Sequence, residues 1–323
     1  MPTRPRLPKC GTELETNGAG VAEAHMTQPI AVPLAHRGVL RVTGADARSF
    51  LQGIVSNDVM QVGAERAIWS AFLTPQGRFL HEFFLAEGPD GNLWLDCEAE
   101  RREHLRKRLS IYKLRAQADI LDANEELAVA ALIGERALGL LDLPALEGYA
   151  RPFGAGVAFT DPRLGPLGAR AILPRASMEE TLSEAGFALG EVADYDRHRL
   201  SLGVPEGSGD LEVERATLME SGFDELHGVS WEKGCYLGQE LTARMKYRGL
   251  SKKRLVPVEI EGPAPEPGTD IRRDGKPAGT LRSAVDGVGL ALIRLDQLDG
   301  AEAGAFEAGE ARLTARKPDW ANF

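Results

Sequence analysis

The longest uninterrupted apolar run in this 323-residue chain is seven residues, Leu127 to Ile133, closed off by Glu126 and Gly134. Seven residues suit one β-strand, whereas a membrane-spanning helix needs about 20. The chain must therefore bury its apolar surface in many short elements, and no membrane partner is expected. Enough apolar material is present for that, 43% against 27% charged, which is a globular composition and not a disordered one. At roughly 100–200 residues per domain the length predicts two or three domains. The three cysteines, Cys10, Cys97 and Cys235, form no C-x-x-C pair and are odd in number. A disulfide framework is excluded, and a reducing, cytoplasmic setting is expected. A four-cysteine zinc or iron–sulfur site held by this chain alone is excluded too, so no metal ligands are assigned.

Residues 1–28 read as a disordered tail. Met1 to His25 carries Pro2, Pro5 and Pro8 and almost no large apolar residue, and Met26 is an alternative start. Beyond it, Gly38–Thr43, Asn92–Asp96, Leu127–Ile133 and Ala169–Leu173 are expected strands. Thr74-Pro75-Gln76-Gly77 is a turn signal between Ala71–Leu73 and Phe79–Phe84, which predicts a hairpin. Helices are expected after Asp46, over Glu98–Tyr112 (Leu105, Leu109 and Tyr112 at i, i+4, i+7), and over Arg136–Leu141, Ser177–Ala185 and Val192–Leu202. After Gly249 the texture changes. Arg254–Glu261, Pro277–Ala284, Gly287–Arg294 and Ala311–Ala315 are short strands between Gly, Pro and Asp turns, the pattern of a small all-β barrel or sandwich.

The net charge is −10, which argues against stable binding of nucleic acid. Yet Arg101–Arg115 carries +6, and Arg244–Arg254 carries +6 with no acid at all, leaving −22 on the remainder. Two basic strips on an acidic chain suggest a local anion site.

The segment richest in chemistry is Ser230-Trp231-Glu232-Lys233-Gly234-Cys235-Tyr236-Leu237-Gly238-Gln239-Glu240-Leu241-Thr242-Ala243-Arg244-Met245. Leu237, Leu241 and Met245 repeat at helical spacing, which predicts a helix beginning near Tyr236. Cys235 would then stand at a helix N-terminus, where orphan amides and the macrodipole favour a thiolate, with Lys233 adding positive charge. Gly234 permits a tight or positive-φ turn just before it. Gln239, Glu240 and Arg244 offer polar contacts on the open face. Cys97, at the end of an apolar strand, is expected to be structural.

Residues 233–240, Lys-Gly-Cys-Tyr-x-Gly-Gln-Glu, resemble the signature of the YgfZ family, folate-binding proteins related to the T-protein (aminomethyltransferase) of the glycine cleavage system; the family includes mitochondrial factors for maturation of [4Fe–4S] proteins. The resemblance extends to Phe50–Asp58, Pro75–Phe79, Tyr112-Lys113-Leu114-Arg115, Asp161–Gly165, Arg199–Pro205 and the strands around Ala278-Gly279 and Leu290–Leu292. It implies an α+β, T-protein-like folate-binding fold of two interleaved α/β subdomains, 29–125 with 190–247 and 126–189, followed by a C-terminal β-barrel over 250–323. The chain departs from the family's Pro-x-Glu-Ala block, reading Thr217-Leu218-Met219-Glu220-Ser221-Gly222, and a rough alignment sets Glu103 where the T-protein has its catalytic Asp.

The resemblance further implies tetrahydrofolate, or a one-carbon derivative, in a central cavity between domains. Arg199, with Arg115 and Arg244, would meet the tail carboxylates. Tyr112, Tyr236 and Trp231 would form the ring slot. Glu220 or Glu240 would accept the pterin N–H donors, and Asn57 and Asp58 would line the wall. The implied function is an accessory factor in assembly, insertion or repair of [4Fe–4S] clusters. Its partners would be iron–sulfur assembly proteins or client enzymes, radical tRNA-modifying enzymes among them. Cys235 and Lys233 would be its reactive pair. The alternatives are a folate-dependent aminomethyl or one-carbon transferase and, third, a folate-binding scaffold with an inert cysteine.

Overall fold

The computed structural model describes residues 28–301 and 303–323; the expected tail, apart from Gln28, and Cys10 with it, lie outside the described residues. Two sheets and a barrel make up the fold. An antiparallel five-stranded sheet runs in the order Ile68–Leu73, Phe79–Glu87, Leu93–Glu98, Arg37–Thr43, Asp119–Asp122. A six-stranded sheet runs Ala188–Leu189, Ile30–Pro33, Leu127–Ile133, Ala169–Pro174, Gly156–Thr160, Ala150–Phe153, antiparallel except for its first pair. Strands between Lys253 and Ala315 close the barrel. The architecture is α+β, as expected. The strand Ile30–Pro33 pairs with Leu127–Ile133, so the chain enters through the six-stranded sheet, whose other strands lie between residues 127 and 189.

Packing explains the layering. Trp69, Phe84, Val129, Phe159 and Phe223 form one core shared by both sheets. On the other face of the five-stranded sheet, Leu40, Phe72, Phe83 and Leu95 meet Leu105 and Leu109 of the helix Arg102–Lys113. Both leucines are fully buried, each contributing roughly 1.5–3 kcal/mol. That helix begins four residues later than its apolar spacing predicts, because Glu98 is still a strand residue, paired with Arg37. It stops where Leu114 takes a positive φ of 48°. Cys97 is buried in this core, and burial pushes its thiol well above the ordinary range, in keeping with a structural role.

Between the sheets lies a network of charged side chains. Arg37 donates to Glu82 (2.5 Å) and Asp96 (2.6 Å). Arg170, from the other sheet, reaches Asp96 (3.0 Å) and Glu206 (3.3 Å). Arg163 is paired with Asp161 (2.8 Å), and the Tyr195 hydroxyl donates to Glu206 (2.5 Å). The guanidinium of Arg170 lies 4.0 Å, and that of Arg163 4.8 Å, from the centre of the Phe84 ring. His36 bonds Glu206 at 2.8 Å from the half-exposed rim. Burial alone would raise the Glu206 carboxyl, but Arg170, Arg37, His36 and Arg163 hold it well below the ordinary carboxylate range. Sequence reasoning missed this network. Its signal was a charged residue placed inside otherwise apolar strands, as at Arg170.

Candidate functional site

Cys235 is exposed, on a loop bounded by two left-handed glycines, Gly234 (φ 91°) and Gly238 (φ 80°). The expected helix starts later than predicted, spanning Gln239–Arg248 with Gly238 as its N-cap. The cause is a close approach. A Cβ on Gly238 would stand 2.5 Å from the Thr74 carbonyl oxygen in the hairpin turn, so only glycine fits, and its left-handed backbone interrupts the helix. Cys235 therefore precedes the first helical residue by four positions, and the macrodipole, which acts within the first turn, gives it no support.

What fixes the loop is backbone pairing to the segment after the first helix (Ala47–Gln52). Leu237 N–H donates to Gly53 O (3.2 Å) and Ser230 N–H to Ser56 O (3.0 Å). Lys233 completes the attachment: its Nζ donates to Val55 O (2.6 Å) and Asn57 O (2.8 Å) and lies 5.3 Å from the centre of the Tyr236 ring. Burial lowers Lys233 to about 8, against a smaller opposing pull from Asp58. Lys233 is thus a staple for the cysteine loop. Its acylation by an amine-directed reagent is expected to rise with a midpoint near pH 8, while surface lysines rise above pH 10; a midpoint above 10 would contradict this attachment.

The remaining expected site residues separate into groups. Asn57 and Asp58 are engaged within the fold. The Asn57 amide donates to Trp69 O and His227 O (both 2.7 Å), and Asp58 caps the short turn Val59–Gln61 while accepting from Gln52 (2.8 Å). Tyr236 is buried in the core, where burial pushes its hydroxyl up to about 12. Tyr112 is half-buried, edge-on to Phe72, and Arg115 is exposed. Gln239 opens the helix; Glu240 and Arg244 lie outside, 3.9 Å apart, with the Glu240 side chain 91% exposed. Trp231 packs edge-on to Tyr247 and donates to Asp224 (2.7 Å). Lys233 thus ties Asn57 and Tyr236 to the loop that carries Cys235, whereas Arg199 and Glu220 are engaged elsewhere.

Arg199 is buried and ion-paired with Asp210 (2.6 Å) and Asp196 (2.7 Å). Asp210 leads to a cleft of about 190 Å³ between the 210–221 segment and the barrel. Glu220, Thr217, Arg215, Lys253, Arg282 and Leu255 are among its walls. Glu220 is thus the one expected ligand residue on this cleft; Cys235 and Arg199 do not line it. The expectation is a central cavity between domains with Cys235 at its mouth; this cleft lies between the 210–221 segment and the barrel, and Cys235 is not on its wall. Between the sheets pack Trp69, Phe84 and the charge network, with the guanidiniums of Arg163 and Arg170 over the Phe84 ring.

The iron-sulfur cluster assembly factor IBA57, mitochondrial, of Mus musculus is 33% identical to this chain, over 88% of the chain and 83% of its own length. The chain belongs to the IBA57 family. The Homo sapiens protein of the same name is likewise 33% identical over the same shares. A family model described as the CAF17 C-terminal beta-barrel domain matches residues 252–323, the closed barrel. The glycine cleavage system aminomethyltransferase T of Bartonella henselae superposes with a TM-score of 0.71 at 17% identity, covering 90% of this chain and 85% of that one, so the fold is T-protein-like. Both named relatives are mitochondrial, which overturns the cytoplasmic placement. A low cysteine count reports a reducing environment and does not distinguish one such compartment from another.

Proposed function

We propose that this chain is a folate-binding accessory factor for assembling, inserting or repairing [4Fe–4S] clusters, akin to the YgfZ proteins its signature resembles, with client enzymes that include radical tRNA-modifying enzymes. The observation that carries this reading is the exposed Cys235 on a loop pinned by Lys233. One thiol cannot hold a cubane, which takes four ligands. It can hold one iron in passing. The Cys235 thiol loses its proton to solvent and its sulfur bonds to a cluster iron. A thiolate of the donor protein leaves that iron and takes up a proton. No electron is transferred, and the cluster passes on when a client thiolate displaces Cys235.

Tetrahydrofolate fits the cleft in part. Its about 190 Å³ is below the roughly 300–1,000 Å³ of a complete small-molecule site, so it takes one end of the molecule. The Glu220 carboxylate, with Oε2 accepting from Thr217 Oγ1 at 2.9 Å, has a second oxygen for the paired pterin N–H donors. Arg282 Nε is buried on this cleft without a partner, and Lys253 and Arg215 offer charge for carboxylates. Bound tetrahydrofolate supplies a carrier for one-carbon units; the residues here bind and orient it.

The transferase reading is weaker. Glu103, set where the T-protein has its catalytic Asp, is on the surface and bidentate to Arg106, an arrangement that holds its carboxyl at about 2, too acidic for proton transfer near neutrality. The inert-scaffold reading is separated by thiol labelling of the exposed Cys235, which an inert cysteine would show no faster than a free thiol does. Titrating the purified chain with tetrahydrofolate, followed by fluorescence, tests the cleft. Glu220→Gln is expected to weaken binding about tenfold or more, the scale of a lost charge-assisted pair, while Glu240→Gln and Cys235→Ser bind as the wild type does. Equal affinity in Glu220→Gln would remove folate from this cleft. Turnover with an aminomethyl-lipoyl carrier would instead establish the transferase.

A further inference from the structure

On the helix-covered side of the five-stranded sheet, away from the charge network, sits a cluster that none of this chemistry uses. His81, from the strand Phe79–Glu87, is buried and its Nε2 lies 2.8 Å from Nδ1 of His104, in the first turn of the helix Arg102–Lys113. The rings are 5.0 Å apart at 32°. Arg101 and Arg108 flank the pair. Burial first, then these two guanidiniums, push His81 down to about 2 and His104 below the ordinary imidazole range. Positive charge is therefore concentrated here and poorly compensated. Arg108 has no ion-pair partner among the described residues, and its Nε is buried without an acceptor. Arg101 Nη1 is also without a hydrogen bond, its contact with Glu98 being long at 3.7 Å. Glu98 itself is committed to Ser208, whose hydroxyl and amide it accepts at 2.5 and 3.1 Å. Glu214 acts on His104 only through space. At the helix start, Arg101 supplies no side-chain cap, and the one first-turn acid, Glu103, turns outward to Arg106 and Lys107.

We propose that Arg101, His104 and Arg108, backed by His81 and by the amides that open the helix Arg102–Lys113, form a binding site for a small oxyanion. An uncapped helix N-terminus attracts anions, and guanidiniums match oxyanion geometry with paired N–H donors. His104 is exposed, so the site opens to solvent. In the tautomer that serves an anion, His81 Nε2–H donates to His104 Nδ1 and leaves His104 Nε2–H turned outward as a donor. The segment carrying Glu214 also carries Arg215 and Ala216 on the wall of the cleft, so the oxyanion is either free inorganic phosphate or a carboxylate from a glutamyl tail reaching around that segment. The site does not depend on the folate reading, because phosphate alone is enough to test it.

Inorganic phosphate is titrated into the purified full chain by calorimetry, and the imidazole resonances of His81 and His104 are followed by NMR. Saturable binding is expected, with the His104 midpoint raised as phosphate fills the site. Arg108→Gln and Arg101→Gln are each expected to weaken binding about tenfold with an unchanged melting temperature. Lys107→Gln, one position from Arg108 but turned to solvent, should leave it unchanged. No saturable binding, or an equal loss in Lys107→Gln and Arg108→Gln, overturns the site in favour of diffuse surface charge. p-Aminobenzoylglutamate identifies the source. Competition with phosphate supports the site and assigns it to a tail carboxylate; phosphate binding without competition supports the site and assigns it to the inorganic ion.

Discussion

Glu206→Ala is expected to lower stability by about 3–5 kcal/mol, the scale of a buried ion network that loses one member. Glu206 accepts from Arg170, from the Tyr195 hydroxyl and from His36, and lies 3.7 Å from Arg163. Removing it leaves buried guanidinium and hydroxyl donors without an acceptor, and water cannot readily replace it between packed sheets. Urea unfolding at neutral pH measures the loss, with an unchanged m-value showing that the denatured state is not the cause. The pH dependence carries a sign. The Glu206 carboxyl is depressed in the folded state, so its contribution is present above the unfolded value of 4.5 and is lost as pH falls below it toward the folded value. The gap between wild type and variant should therefore narrow in acid. A loss under 1 kcal/mol at neutral pH would mean that the network is not the keystone between the sheets.

Cys235→Ser is expected to have the opposite profile. The thiol is exposed and closes no core, so stability should change by about 0.5 kcal/mol or less. Activity of [4Fe–4S] client enzymes, in cells relying on this chain alone, should fall to the level of cells lacking it, since a hydroxyl is a poor iron ligand. Cys97→Ser is the reciprocal control. It places a hydroxyl in the core beneath the helix Arg102–Lys113 and should cost roughly 1–3 kcal/mol, with client activity falling only as far as folded protein does. Full client activity in Cys235→Ser, with normal protein levels, would end the role given to this sulfur.

Much of this fold was legible in the residues. The strand Leu127–Ile133 has the bounds that its apolar run predicts and the barrel strand Ala311–Ala315 those that its flanking turns predict, and the hairpin turns at Thr74–Gly77. The site was legible only in part. Leu237, Leu241 and Met245 keep helical spacing, yet Leu237 lies before the helix, packed on the core beneath the five-stranded sheet. Apolar spacing reports which side chains are buried, not where backbone hydrogen bonding begins. Lys233 looked like a charge for Cys235, but its ammonium is spent on the carbonyls of Val55 and Asn57, some 178 and 176 positions away in the chain.

Local chemistry alone determined the short-strand architecture, the shortage of cysteines for a four-cysteine site, and the apolar setting of Cys97 against the polar one of Cys235. Those follow from residue types and from spacings of a few positions. Tertiary structure alone decided that the space between the sheets is filled by paired charges, that the cleft lies against the barrel and away from Cys235, and that His81 meets His104 between two arginines. Each of these depends on groups far apart in sequence. Their energies are set by mutual distance and by the water excluded between them, and neither quantity exists until the chain has folded.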